Sequence, residues 1–373
     1  MHKLVATLLL ACCGLSFADT TINGRWLDYY DEGASKRVDS GVMVTTQKSG
    51  EKAGAYLKTG WLTWDLKDST VNFTLKVSHW KDVKILSLLV GNGLNMEVSA
   101  TIDLDWKVRS KIDDVEVVVS VPFSAWIPEE GKTVDFSKID SVLLMVASKP
   151  GSTKQVSATV TGITVVKNTM PHAVVSLTID DGFVDALPLA TLLRKYGYTA
   201  TAFVDPLTID TPGYMTRADL VHLRDLGWGL GGHRIGRMSR LHGAELEQNL
   251  RFSWEYLEKF YPSPTTALPF AYPNGETIPS ENLTFFTQWF NISGMNNGSA
   301  VPTSNINRHS VDKWTTFDQV RTWVDAAVAN NEWIIINFHS FKDEPTADED
   351  WSLSDVKLLL DYLKAKSIEV RPI

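Results

Sequence analysis

The feature that most limits what this 373-residue chain can fold into is a change of hydrophobic period near residue 168. Before it, β-branched runs alternate at period two, as in Val71-Asn72-Phe73-Thr74-Leu75-Lys76-Val77, Val115-Glu116-Val117-Val118-Val119-Ser120-Val121 and Val156-Ser157-Ala158-Thr159-Val160. Turns such as Asn92-Gly93 and Pro150-Gly151-Ser152 separate them, and no long amphipathic helix intervenes. That texture predicts half-buried antiparallel strands, and residues 19–168 fit an all-β sandwich with a jelly-roll-like layout. The tryptophans there, Trp26, Trp61, Trp64, Trp80, Trp106 and Trp126, have two readings, stacking on sugar rings or filling the core.

After Asn168-Thr169-Met170-Pro171 strand and helix signals alternate. Strands are predicted over 173–179, 199–204, 267–271 and 333–338, and helices over 186–196, 216–226, 244–260, 316–330 and 354–366, with an extended end at 368–371. Alternating β and α units imply parallel strands with helices outside, and chemistry in the loops at the strand C-termini. Residues 169–373 therefore form the second expected domain.

The first residues read as an export signal. His2 and Lys3 precede an apolar stretch over 4–14, and Ser16-Phe17-Ala18 offers small residues for cleavage before Asp19, which makes 1–18 a signal peptide. The alternative is Leu9-Leu10-Ala11-Cys12 as a lipoprotein box, with Cys12 the lipid anchor. The expected location is periplasmic or secreted in the first case, and membrane-anchored in the second. Both cysteines, Cys12 and Cys13, lie in this segment, so disulfides are not expected to hold the exported chain. No later segment approaches 18 consecutive apolar residues. A net charge of −8 argues against a nucleic-acid partner, while 44% hydrophobic residues suffice for a sizeable core.

Four segments put polar residues where strands end. Ser176-Leu177-Thr178-Ile179-Asp180-Asp181-Gly182 closes an apolar strand with two adjacent carboxylates, which repel unless a cation or separate duties relieve them. Leu230-Gly231-Gly232-His233-Arg234-Ile235-Gly236-Arg237 offers an imidazole as a metal ligand. Leu268-Pro269-Phe270-Ala271-Tyr272-Pro273-Asn274-Gly275 leads into a turn able to aim a backbone N–H at an oxyanion. Ile334-Ile335-Ile336-Asn337-Phe338-His339-Ser340 sets a histidine at a strand tip, where it could act as general acid.

In this order the four segments resemble the polysaccharide deacetylase family (the NodB homology domain, carbohydrate esterase family four). Thr178-Ile179-Asp180-Asp181-Gly182 matches its opening motif, Ile336-Asn337-Phe338-His339 its closing one, and the run from Phe270 to Gly275 is similar to a third. The resemblance covers 171–373 and implies a distorted (β/α) barrel of seven or eight strands. It further implies a metal-dependent hydrolase that removes acetyl groups from an N-acetylated, or alternatively O-acetylated, extracellular polysaccharide. Asp181 and His233 would bind a divalent metal, zinc above all; Asp180 would be the base, His339 the acid, and the Tyr272 backbone N–H an oxyanion donor. Arg237 and Phe270 would touch substrate.

One position departs from the family. Arg237 stands where a second metal histidine is expected, and a guanidinium has no lone pair to offer. His242 is the replacement ligand if the loop is reshaped; otherwise the metal is weak or absent. The family arginine expected near Leu268 or Pro269 is also missing, and Arg308-His309-Ser310-Val311-Asp312-Lys313-Trp314 is the candidate for its fourth motif. The rival function is therefore a carbohydrate-binding or assembly protein on a deacetylase scaffold.

Overall fold

The computed structural model describes residues 20–21, 25–28, 33–38, 41–46, 50–58, 63–93, 96–104, 113–234, 236–261, 268–278 and 284–373. The signal expected at 1–18, with Cys12, lies outside these residues, as do Trp61 and Trp106.

The period-two runs form two six-stranded sheets. One carries, in spatial order, Gly33–Val38, Gly41–Thr46, Ser157–Lys167, Ser69–Ser78 and Glu116–Val121, with Thr20–Thr21 also paired to Ser157–Lys167. The other runs Ile127–Pro128, Val98–Asp103, Val83–Asn92, Ser141–Ser148, Lys52–Lys58 and Arg25–Asp28. All of these pairs are antiparallel. Alternate residues from both sheets, among them Val42, Val44, Leu75, Val77, Leu86, Leu88, Leu144 and Val146, fill one core between them. Trp64, Trp80 and Trp126 are 6, 7 and 5% exposed, so these three fill core and present no face to a sugar.

The C-terminal part is a curled parallel sheet with helices outside. Its strands are β1 (Val174–Ile179), β2 (Thr201–Val204), β3 (Gly229–Gly232), β4 (Pro269–Ala271), β5 (Gln288–Phe290), β6 (His309–Ser310) and β7 (Trp333–Phe338). The order across the sheet is β5-β4-β3-β2-β1-β7-β6, every neighbour parallel, and Glu369–Val370 adds to β1. The two edges meet through a parallel bridge between Phe290 and Ile306. The Ile306 amide donates to Trp289 O at 2.8 Å, and the Asn291 amide to Ile306 O at 2.8 Å, which closes the barrel. Among the described residues five helices pack outside: α1 (Leu187–Tyr196), α2 (Arg217–Asp225), α3 (Gly243–Glu258), α4 (Phe317–Asn330) and α5 (Leu353–Ala365). Capping boxes at Thr216 and Thr316 start α2 and α4.

Strand alternation sorts the barrel residues. Val175, Leu177, Ile179, Ile334 and Ile336 belong to the outer core under the helices. Phe203, Ala271, Phe290, Ile306 and Ile335 form a separate inner cluster. By the same period of two, Ser176, Thr178 and Asp180 follow one another on the inner face of β1, and Ile335, Asn337 and His339 on that of β7. β1 and β7 pair Thr178 with Asn337, so Asp180 and His339 emerge side by side at the C-terminal mouth.

Candidate active site

The mouth opens into a cleft of about 610 Å³ whose lining includes Asp180, Asp181, His233, Arg234, His309, Trp314 and His339. Of the sequence candidates, the structure brings Asp180, Asp181, His233 and His339 together there.

Asp180 is 1% exposed, and Arg308 grips it with two parallel bonds, Nη1 to Oδ1 at 2.8 Å and Nη2 to Oδ2 at 2.9 Å. Arg308 itself is fully buried; Nη1 also donates to Thr178 Oγ1 and Asn337 Oδ1, and the guanidinium lies 5.4 Å from the Phe203 ring centre. Burial alone would raise the Asp180 carboxyl, but the Arg308 charge, aided by His233, holds it below the ordinary aspartate value. The result is a carboxylate kept ionised inside the protein. Neither the burial nor the partner of Arg308 is written in local sequence, because it reaches Asp180 from the position just before β6, which lies on the far side of β7. It supplies a guanidinium at the site although none stands at Leu268 or Pro269.

Asp181 adopts φ 70°, a left-handed conformation that costs a non-glycine residue roughly 1–2 kcal/mol, and Gly182 follows at φ 75°. This double turn redirects the chain at the end of β1 and faces Asp181 toward the next strands. Asp181 Oδ1 stands 3.2 Å from His233 Nε2. On the other side of the ring, His233 Nδ1–H donates to the Ala271 carbonyl at 2.8 Å, which leaves Nε2 to face the carboxylate. Burial would lower the His233 pKa; the charge of Asp180, then the bond and charge of Asp181, outweigh it and raise it. Gly231 makes room for this strand: a Cβ there would stand 2.5 Å from the Phe203 ring and 2.8 Å from Pro269 O.

Four further candidates lie apart from this group. Arg237 turns away, its Nε 3.7 Å from Glu276 Oε1, and Glu276 also accepts from Ser239 Oγ at 2.6 Å. His242 is exposed at the N-terminus of α3. The Tyr272 amide donates to Phe290 O at 2.9 Å, so it is committed to the barrel ladder and not to an oxyanion. Phe270 packs in the outer core, 4.8 Å from Phe286 and 4.9 Å from Trp289 between ring centres.

Asp181 and His233 are thus two donors, where catalytic zinc takes three protein ligands. Among the described residues no group of three or more His, Cys, Asp or Glu converges to hold a metal ion. The residues present do not fit a resident tetrahedral zinc.

Further residues line or border the cleft, Lys313 and Trp314 of the candidate fourth motif among them. Arg234 lines it with an Nε that is buried and has no partner among the described residues. Trp314 is 64% exposed at its rim, with Lys313 Nζ 4.7 Å from the ring centre. Lys313 in turn pairs with Asp348 at 2.8 Å, on the loop between β7 and α5. Asp350 anchors that loop by accepting from the Thr346 and Ala347 amides at 2.9 and 2.8 Å. Burial works against its ionisation, yet these bonds and that of Ser340 hold its pKa at about 2.

No protein-family model and no curated protein matches the chain. Solved structures do. A family 4 carbohydrate esterase from Bacillus anthracis is 15% identical, with a TM-score of 0.37 over 55% of this chain and 82% of that one. The peptidoglycan deacetylase PdaC of Bacillus subtilis is 17% identical, with a TM-score of 0.35 over 54% of this chain and 89% of the other. A family 11 carbohydrate-binding module from Clostridium thermocellum is 15% identical, with a TM-score of 0.30 over 40% of this chain and 95% of the module. The neighbours of this chain in structure are therefore family 4 carbohydrate esterases and peptidoglycan deacetylases over about 55% of its length, and carbohydrate-binding modules over about 40%.

Proposed function

We propose that the chain is a hydrolase that removes acetyl groups from an N-acetylated polysaccharide outside the cytoplasm. The observation that carries this reading is the buried Asp180–Arg308 pair beside His339 in one cleft with an exposed tryptophan. Amide hydrolysis needs a base for the water, a cationic or N–H partner for the oxyanion and an acid for the departing nitrogen. Asp180, ionised throughout the neutral range, takes the water proton. Arg234, with its unpartnered Nε, is the cation available to the oxyanion. His339 lines the same cleft and delivers the proton to the amine, and the Trp314 face stacks on a sugar ring.

The turned-away Arg237 and the two-donor pair favour a second reading, a carbohydrate-binding protein that has left the chemistry behind. Acetate release from N-acetylated and O-acetylated oligosaccharides separates the two. The enzyme should release acetate from the N-acetylated set, and Asp180→Asn should lower turnover by about 10²-fold or more. Binding to the same oligosaccharides without acetate release by the unaltered protein would leave the second reading standing.

A further inference from the structure

The segment 291–309, between β5 and β6, forms one wall of the cleft and also holds the sandwich. Behind it lies Glu332, 1% exposed and used by no step above. Its carboxylate accepts the Ser124 amide at 3.1 Å, the Ser124 hydroxyl, and Asn296 Nδ2 at 3.0 Å. Ser124 belongs to the turn Phe123–Ala125 of the sandwich. A carboxylate can only accept, so the Asn296 amide must turn its nitrogen toward Glu332 and its oxygen away. That oxygen meets His309 Nε2 at 3.0 Å. An oxygen there requires the ring to carry its proton on Nε2, and Nδ1 then holds the lone pair. His309 is stacked on Trp323 at 4.6 Å between ring centres and lines the cleft.

We propose that Glu332 is a positioning residue that sets, through the orientation of Asn296, which nitrogen of the cleft histidine His309 carries the proton. The sandwich takes part through Ser124, so it helps to build the site as well as lying beside it. The His309 ring lines the cleft read above as a deacetylase site, with Nδ1 itself buried. Only that naming of the cleft rests on the deacetylase reading.

The test uses the full chain with ¹⁵N-labelled histidine and long-range proton–nitrogen spectra at about pH 8, where an ordinary histidine is neutral. His309→Gln identifies the signal. The expected resting form is the Nε2–H tautomer. In Glu332→Gln the side-chain oxygen must still accept the Ser124 amide, so its NH2 faces Asn296, the amide flips, and His309 is expected to switch to Nδ1–H. Ser124→Ala leaves the Glu332–Asn296 bond intact and should keep Nε2–H. A folded Glu332→Gln protein that retains Nε2–H, or an unaltered protein found as Nδ1–H, overturns the proposal. Should Glu332→Gln not fold, Asn296→Ala decides the matter: mixed tautomers support it and an unmixed Nε2–H form overturns it. The spectra need no turnover, so a switched tautomer in a protein that releases no acetate would sink the deacetylase reading alone.

Discussion

Asp180 keeps its charge where burial by itself would remove it, and that places a sign on its contribution to stability. Its folded pKa lies below the ~3.9 of an unfolded aspartate, so its contribution is complete above about pH 4 and is lost as the pH falls through the depressed folded value. Urea unfolding of the native protein and Asp180→Asn should therefore differ most at neutral pH, with the gap closing in acid; a gap that widened in acid would mean Asp180 is not held ionised by Arg308. Removing Arg308 instead leaves a buried carboxylate unpaired, and Arg308→Met should cost about 3–5 kcal/mol. Zinc content probes the neighbouring pair. The native protein, desalted after exposure to zinc, is expected to retain well under one ion per chain, and Arg237→His to retain more, because a third donor completes the usual set. Stoichiometric zinc in the native protein would contradict the donor count given by Asp181 and His233.

At the scale of the element, the long strands and helices were legible because they span enough residues for a period to emerge. β1, β7 and all five helices fall within one or two residues of the boundaries expected from their pattern. β5 and β6 did not announce themselves: three and two residues carry no measurable alternation, and they exist because their neighbours close the barrel over them. The pairing of Arg308 with Asp180 was unreadable for the same reason, since the two lie 128 residues apart and only barrel closure joins them. Asp180, Asp181, His233 and His339 were legible because each ends an apolar strand. β3 depends on the absence of a side chain at Gly231, where any Cβ would meet the Phe203 ring. Gly231→Ala should destabilise the protein by about 1–3 kcal/mol in urea unfolding, with His233, two residues on, displaced from Asp181. A fully stable Gly231→Ala protein would show that the ring can move aside.

On the scale of the whole molecule, asparagine amides make part of the join between sandwich and barrel. Asn305 Nδ2 donates to Val118 O at 2.6 Å, and Asn307 Nδ2 to Ser120 O at 2.9 Å. Both carbonyls lie on Glu116–Val121, the last strand in the order of its sheet, so the barrel satisfies acceptors that an edge would otherwise leave to water. Met295 of the barrel is buried in the sandwich core, and a Cβ on Gly298 would stand 2.1 Å from Thr70 Oγ1. Asn291 and Asn297, which begin the glycosylation-type runs Asn291-Ile292-Ser293 and Asn297-Gly298-Ser299, are 0 and 1% exposed, so both are closed to a glycan. The amide bonds are among the contacts that tie the halves together, so their loss should uncouple the two cores rather than unfold either. Asn305→Ala with Asn307→Ala leaves buried carbonyls unpaired at about 1–3 kcal/mol each. The native protein is expected to unfold in urea as one transition by tryptophan fluorescence and circular dichroism, and the double variant as two. Two transitions already present in the native protein would mean that the amides align the halves without coupling their stability, and that segment 291–309 is held by the barrel alone.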